Sequence, residues 1–106
     1  MLNDPTPEVL MFIGRFSTDG HRIRRDTIDT FTRGCCWWFA YILSVRFFEQ
    51  NPRIMIDYVE NHFGCKIGDE VYDITGIVTS YYKWEPWDEC RDEVLKRRIA
   101  ECCIMF

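Results

Sequence analysis

Apolar positions change their period partway along this chain, from helical spacing before Pro52 to short alternating runs after it. Asp4-Pro5-Thr6-Pro7-Glu8 reads as a helix start, with Thr6 as cap, Pro7 first in the helix and Glu8 near the positive end of its dipole. Leu10, Ile13 and Phe16 then recur at helical spacing, which predicts a short helix to about Phe16. Ser17 to Gly20 reads as a turn. Asp26 caps a second short helix, Thr27 to Thr32, that carries Ile28 and Phe31 inward and stops at Gly34. From Cys36 to Glu49 the chain is apolar almost throughout, which predicts a buried central helix ended by Asn51-Pro52.

Beyond Pro52, Ile54-Met55-Ile56 reads as one strand, His62 to Ile67 as a second and Glu70 to Ile74 as a third. Gly68-Asp69 is the two-residue turn between the last two. Gly76 breaks the third strand, and Ile77-Val78-Thr79 is expected to continue it after a bend. Tyr81 to Trp87 reads as an aromatic loop. A closing helix from Trp87 or Asp88 to Cys103 turns Cys90, Val94, Leu95, Ile99 and Cys102 inward. Helices, then strands, then a helix predict an α+β fold in a single domain, residues 1–106: N-terminal helices, a central helix packed on a small antiparallel sheet, and a C-terminal helix.

The turn fixes a register. With Ile67 opposite Glu70, Gly64 falls opposite Asp73 and His62 opposite Thr75, so these four share one sheet face. Asp73 is then a diagonal neighbour of His62, and Gly64 leaves space between them. Phe63, Cys65, Ile67, Tyr72 and Ile74 fill the other face.

Composition narrows the function classes. Hydrophobic residues make up 47% and charged residues 28% of 106 positions, enough for one core and unlike a disordered chain. A net charge of −4 lacks the Lys and Arg excess that phosphate backbones demand, so no nucleic-acid partner is expected. His21-Arg22-Ile23-Arg24-Arg25 is a local exception, read as a solvated face. The longest apolar run, Cys35 to Val45, falls short of the roughly 20 residues of a membrane span, and no signal sequence is visible. A cytoplasmic location without membrane association is expected.

Four of the six cysteines form the vicinal pairs Cys35-Cys36 and Cys102-Cys103. Adjacent cysteines bridge each other only with strain, and neither histidine stands at a finger-like spacing from a pair. Neither a metal nor a cofactor is expected. Cys65, Cys90, Cys102 and Cys103 read as small buried hydrophobes. Gly34-Cys35-Cys36 is different, because it opens the central helix, where the dipole favours a thiolate. A cysteine nucleophile also needs a histidine partner and a group to orient it, and His62 and Asp73 share the strand face that could supply both.

Gly34-Cys35-Cys36-Trp37-Trp38-Phe39-Ala40, Asn61-His62-Phe63-Gly64 and Tyr72-Asp73-Ile74-Thr75-Gly76 resemble the Cys-helix, His-strand, polar-strand order of papain-like folds, including NlpC-type peptidases and transglutaminase-like proteins. More specifically, they resemble small proteins of bacteriophages and mobile elements with a similar motif set. The resemblance implies Cys36 as nucleophile, with Cys35 as second candidate, His62 as base and Asp73 as orienting group. It implies a cysteine hydrolase or acyl transferase acting on an amide of a protein or peptide. The alternative is a catalytically silent member that binds a host protein. Trp37 and Trp38 depart from the small residues usual after an NlpC-type cysteine. Trp37, Trp84 and Trp87 are candidates for a substrate or partner surface.

Overall fold

The computed structural model describes residues 4–19, 22–23, 25–33 and 36–87. Its first helix, α1 (Thr6–Phe16), begins where the proline pattern places it, but Thr6 is not the cap. Pro5 occupies that position, and Asp4 Oδ1 accepts the Thr6 N–H at 3.0 Å. The Thr6 hydroxyl instead accepts a hydrogen bond from the Tyr72 hydroxyl at 3.1 Å, fastening the helix start to the sheet. Ile13 is buried and Phe16 packs against the core as the spacing predicts, but Val9 rather than Leu10, which is 38% exposed, completes the inward stripe of α1. Ser17 closes the helix, its N–H and its hydroxyl both donating to the Ile13 carbonyl. The expected turn that follows is part of a small hairpin, β1 (Thr18–Asp19) against β2 (Arg22–Ile23).

Helix α2 (Arg25–Arg33) takes Asp26 into its first turn rather than leaving it as a cap. The central helix, α3 (Cys36–Arg46), starts at Cys36 and stops three residues before the predicted Glu49. Phe47 leaves helical geometry, and a short 3₁₀ turn over Phe48–Gln50 ends at Asn51 with φ 54°. Arg46 lies over the Phe47 and Phe12 rings at 5.1 and 5.7 Å, covering that end of the core. Burial of α3 is one-sided: Cys36, Phe39, Ala40 and Leu43 face the sheet, while Tyr41 and Val45 are 45% and 55% exposed. The expectation of a helix buried all round is corrected, because the sheet and α2 leave the Tyr41 and Val45 side of α3 open.

Five antiparallel strands form the main sheet in the order β6-β5-β4-β3-β7. They are β3 (Arg53–Asp57), β4 (His62–Ile67), β5 (Glu70–Asp73), β6 (Gly76–Ile77) and β7 (Glu85–Pro86). Gly68 at φ +66°, followed by Asp69 without positive φ, gives a type II′ turn, and Ile67 pairs with Glu70 as the spacing predicts. The segment after Gly76 does not continue β5. Gly76 at φ +116° lets the chain fold back, so that Gly76 pairs with Asp73 and Ile77 with Tyr72. Within the aromatic loop, Glu85-Pro86 returns to pair with β3.

The sheet has apolar residues on both faces. Ile56, Phe63, Cys65, Ile67 and Tyr72 join Val9, Ile13, Phe39 and Leu43 in the larger core. On the opposite face Met55, Val71 and Val78 pack with Tyr82 and Trp84. The architecture is α+β, with the helices on one side of an antiparallel sheet. The predicted closing helix, with Cys90, Cys102 and Cys103, lies outside the described residues.

Gly64 is where the smaller layer meets the sheet most closely. A Cβ there would stand 2.7 Å from Val71 Cγ1, 3.0 Å from the Trp84 ring and 3.1 Å from the Tyr72 carbonyl oxygen. Gly64→Ala is expected to cost about 1–3 kcal/mol through overpacking, read as a lower urea midpoint at unchanged slope.

Candidate functional site

His62 opens β4, Cys36 opens α3 and Asp73 closes β5, so the three sit at element ends that converge. Each is almost fully enclosed, at 5%, 4% and 4% exposure. His62 Nε2 lies 2.8 Å from Asp73 Oδ2. An ionised carboxylate only accepts, so Nε2 carries the proton in that bond. The imidazole is also hydrogen-bonded to the Cys36 side chain. With Nε2 taken by Asp73, Nδ1 is the ring nitrogen left to serve the sulfur.

Asp73 divides its carboxylate between two tasks. Oδ2 holds His62, while Oδ1 accepts the Thr75 N–H at 2.7 Å and the Thr75 hydroxyl. The Asp73 side chain therefore stabilises its own turn and orients the histidine at once. Thr75 belongs to the turn between β5 and β6 rather than to a strand position opposite His62.

Electrostatics follow from this enclosure. Burial alone would lower the His62 pKa. The hydrogen bonds to Asp73 and Cys36, and the negative charge of both, outweigh burial and raise the pKa to about 9. Burial works to raise Asp73, but its bonds from His62 and from the side chain and backbone of Thr75 hold it below the ordinary value. The resulting arrangement favours a charged imidazole between two negative groups, the Asp73 carboxylate and a Cys36 thiolate. Cys65, by contrast, is a core thiol whose burial pushes its pKa up to about 12.

An aromatic layer closes the same side. Tyr82 stacks on the His62 ring at 4.7 Å, and Trp84 lies 6.0 Å from it and 4.9 Å from Tyr82. Trp84 Nε1 donates to the Val78 carbonyl at 3.1 Å. The three proposed surface tryptophans thus have different places. Trp84 roofs the site, and Trp87 packs edge-on against Phe63 of the main core at 5.0 Å. Trp37 stacks on Tyr41 at 5.3 Å, and its buried Nε1 has no hydrogen-bond partner among the described residues. Cys35, the second candidate nucleophile, lies outside the described residues, as does His21.

Two participants had no signal in the sequence pattern. Tyr82 falls in a stretch whose pattern marks only an aromatic loop. Asp57, at the end of β3 and directly opposite His62, is 4% exposed and accepts hydrogen bonds from the backbones of Val59, Glu60 and Lys83. An open groove of 380 Å³ runs between the 57–60 turn and residues 80–83, with Tyr82 in its wall. Among the described residues, no helix is long and apolar enough to cross a membrane.

The model of a family described as Phage YunG-like protein matches residues 18–101, a span that includes Cys36, His62 and Asp73. No curated protein and no solved structure matches the chain.

The charges predict a pH profile for stability. Because the folded pKa of His62 is raised from 6.5 to about 9, its contribution is complete below pH 6.5 and is lost as pH climbs through 9. The depressed Asp73 contributes in the opposite sense, its share disappearing as acid protonates it. Urea midpoints should therefore fall between pH 6.5 and 9, and His62→Gln should flatten that alkaline fall. An unchanged slope in the variant would show that His62 is not the group responsible.

Proposed function

We propose that this chain, which belongs to the phage YunG-like protein family, is a cysteine-dependent hydrolase or acyl transferase acting on an amide bond of a protein or peptide. Family membership makes it a phage-related protein, and the residues at the site supply the chemistry. The observation that carries the reading is one imidazole held at 2.8 Å by Asp73 on one side and hydrogen-bonded to Cys36 on the other. The order of elements, a cysteine opening a helix followed by a histidine strand and an aspartate strand, supports a papain-like relationship.

In this reading the Cys36 thiolate attacks the carbonyl carbon, forming a C–S bond and a tetrahedral oxyanion. His62, protonated and oriented by Asp73, gives its proton to the amide nitrogen as the C–N bond breaks. The thioester left on Cys36 is then attacked by water, whose proton passes to His62, and cleavage of the C–S bond regenerates the thiolate. In a transferase an incoming amine replaces the water. Backbone N–H groups in the first turn of α3 are the candidates to receive the oxyanion.

A second reading draws on a specific observation. Cys36, His62 and Asp73 are all at or below 5% exposure beneath an aromatic roof, which suits a silent site in a protein that works by binding a host partner.

Alkylation by iodoacetamide, mapped by mass spectrometry across pH, separates the two. For an active pair, Cys36 reacts well below the ordinary thiol pKa of about 8.5, and His62→Ala moves that reactivity to alkaline pH. Cys65 should stay silent throughout. A Cys36 as inert as Cys65 would rule out the catalytic reading and leave the binding one.

A further inference from the structure

Asp57 lies one strand away from the reacting groups, yet its buried carboxylate is spent entirely on backbone. Oδ1 accepts the N–H groups of Val59 and Glu60 at 2.9 and 3.1 Å, closing the turn that leads into His62. Oδ2 accepts the N–H of Lys83 at 2.9 Å, across 26 positions of sequence. Lys83 stands between Tyr82, stacked on the imidazole, and Trp84, seated over Gly64. One carboxylate therefore ties the approach to His62 and the roof over it to the same point.

We propose that Asp57 is a positioning residue for His62, holding Tyr82 stacked on the imidazole through the Lys83 backbone. Its purpose, though not its geometry, rests on the reading of Cys36 and His62 as a reacting pair. A lone loop residue in an aromatic segment would wander; a charge-assisted bond to a buried carboxylate fixes it more firmly than a neutral one. The stack then restricts rotation of the ring, so that Nε2 stays on Asp73 and Nδ1 stays on Cys36. The ionisable groups around the ring are Cys36 from α3, Asp73 from β5, Asp57 from β3 and Tyr82 from the loop. Burial raises the pKa of the Tyr82 hydroxyl, and the negative charges of Asp73, Glu60 and Asp57, with that of a Cys36 thiolate, raise it further.

Asp57→Asn tests the tether selectively. Its carbonyl oxygen can keep the Val59 and Glu60 bonds, but its amide group meets the Lys83 N–H donor to donor. Proton NMR of the imidazole gives the readout, since the chain has only two histidines. In the unaltered protein the His62 ring protons should be displaced upfield by Tyr82. Asp57→Asn and Tyr82→Leu should both abolish that displacement, whereas Asp73→Asn should alter the titration and keep it. Retention of the displacement in Asp57→Asn overturns the proposal. A second measurement guards against a variant that does not fold. In the unaltered protein the Lys83 amide should exchange with solvent far more slowly than an open loop amide, and exchange at the open rate also overturns it. Neither readout depends on Cys36, so an inert thiol with a lost ring displacement would retire the catalytic reading alone.

Discussion

Neither His62 nor Asp73 could be buried by itself. An isolated ionised group taken from water costs several kcal/mol, and removal of one partner from a buried pair typically costs about 3–5 kcal/mol. The two meet at 2.8 Å, and the remaining Asp73 oxygen is satisfied by Thr75. Much of the local architecture can be traced to this requirement. The turn between β5 and β6 curls back to present Thr75, and aromatic rings cover what water would otherwise reach.

Asp57 solves a similar problem by other means. Among the described residues no cationic side chain is hydrogen-bonded to it; burial works to raise its pKa, and three backbone N–H groups, with the charge of nearby His62, hold the carboxylate below the ordinary value. Two buried acids on the strands that flank β4 thus serve different ends. Asp73 organises a side chain, and Asp57 organises the path of the chain. The smaller hydrophobic cluster of Met55, Val71 and Val78 lies between the sheet and the loop that Asp57 retains. Packing and electrostatics therefore position the same segment from two directions.

Local chemistry explains which parts were legible in the sequence. Gly68-Asp69 dictates a tight turn, and from it strand parity places His62 diagonal to Asp73 without any knowledge of the rest of the fold. The start of α3 at Cys36 was equally plain, because Gly34 reads as the end of the preceding helix and the apolar run follows it directly. Its end was not. Apolarity persists through Phe48, so composition gave no warning that Phe47 leaves the helix. The return of Gly76-Ile77 beside β5 depends on a positive φ that a glycine allows but does not compel. Asp57 illustrates the hardest case, since its partner Lys83 is distant in sequence and contributes only a backbone amide, to which residue type is no guide.

The outer strands of the main sheet carry a consequence for recognition. Each edge is only two residues long, Gly76–Ile77 on one side and Glu85–Pro86 on the other, and proline has no N–H to offer. An extended chain arriving at either border would find almost no ladder to join. This sheet is thus poorly suited to capture a ligand by lengthening itself, and equally poorly suited to template a fibre. Whatever it meets must be read by side chains and loop backbone rather than by a strand ladder.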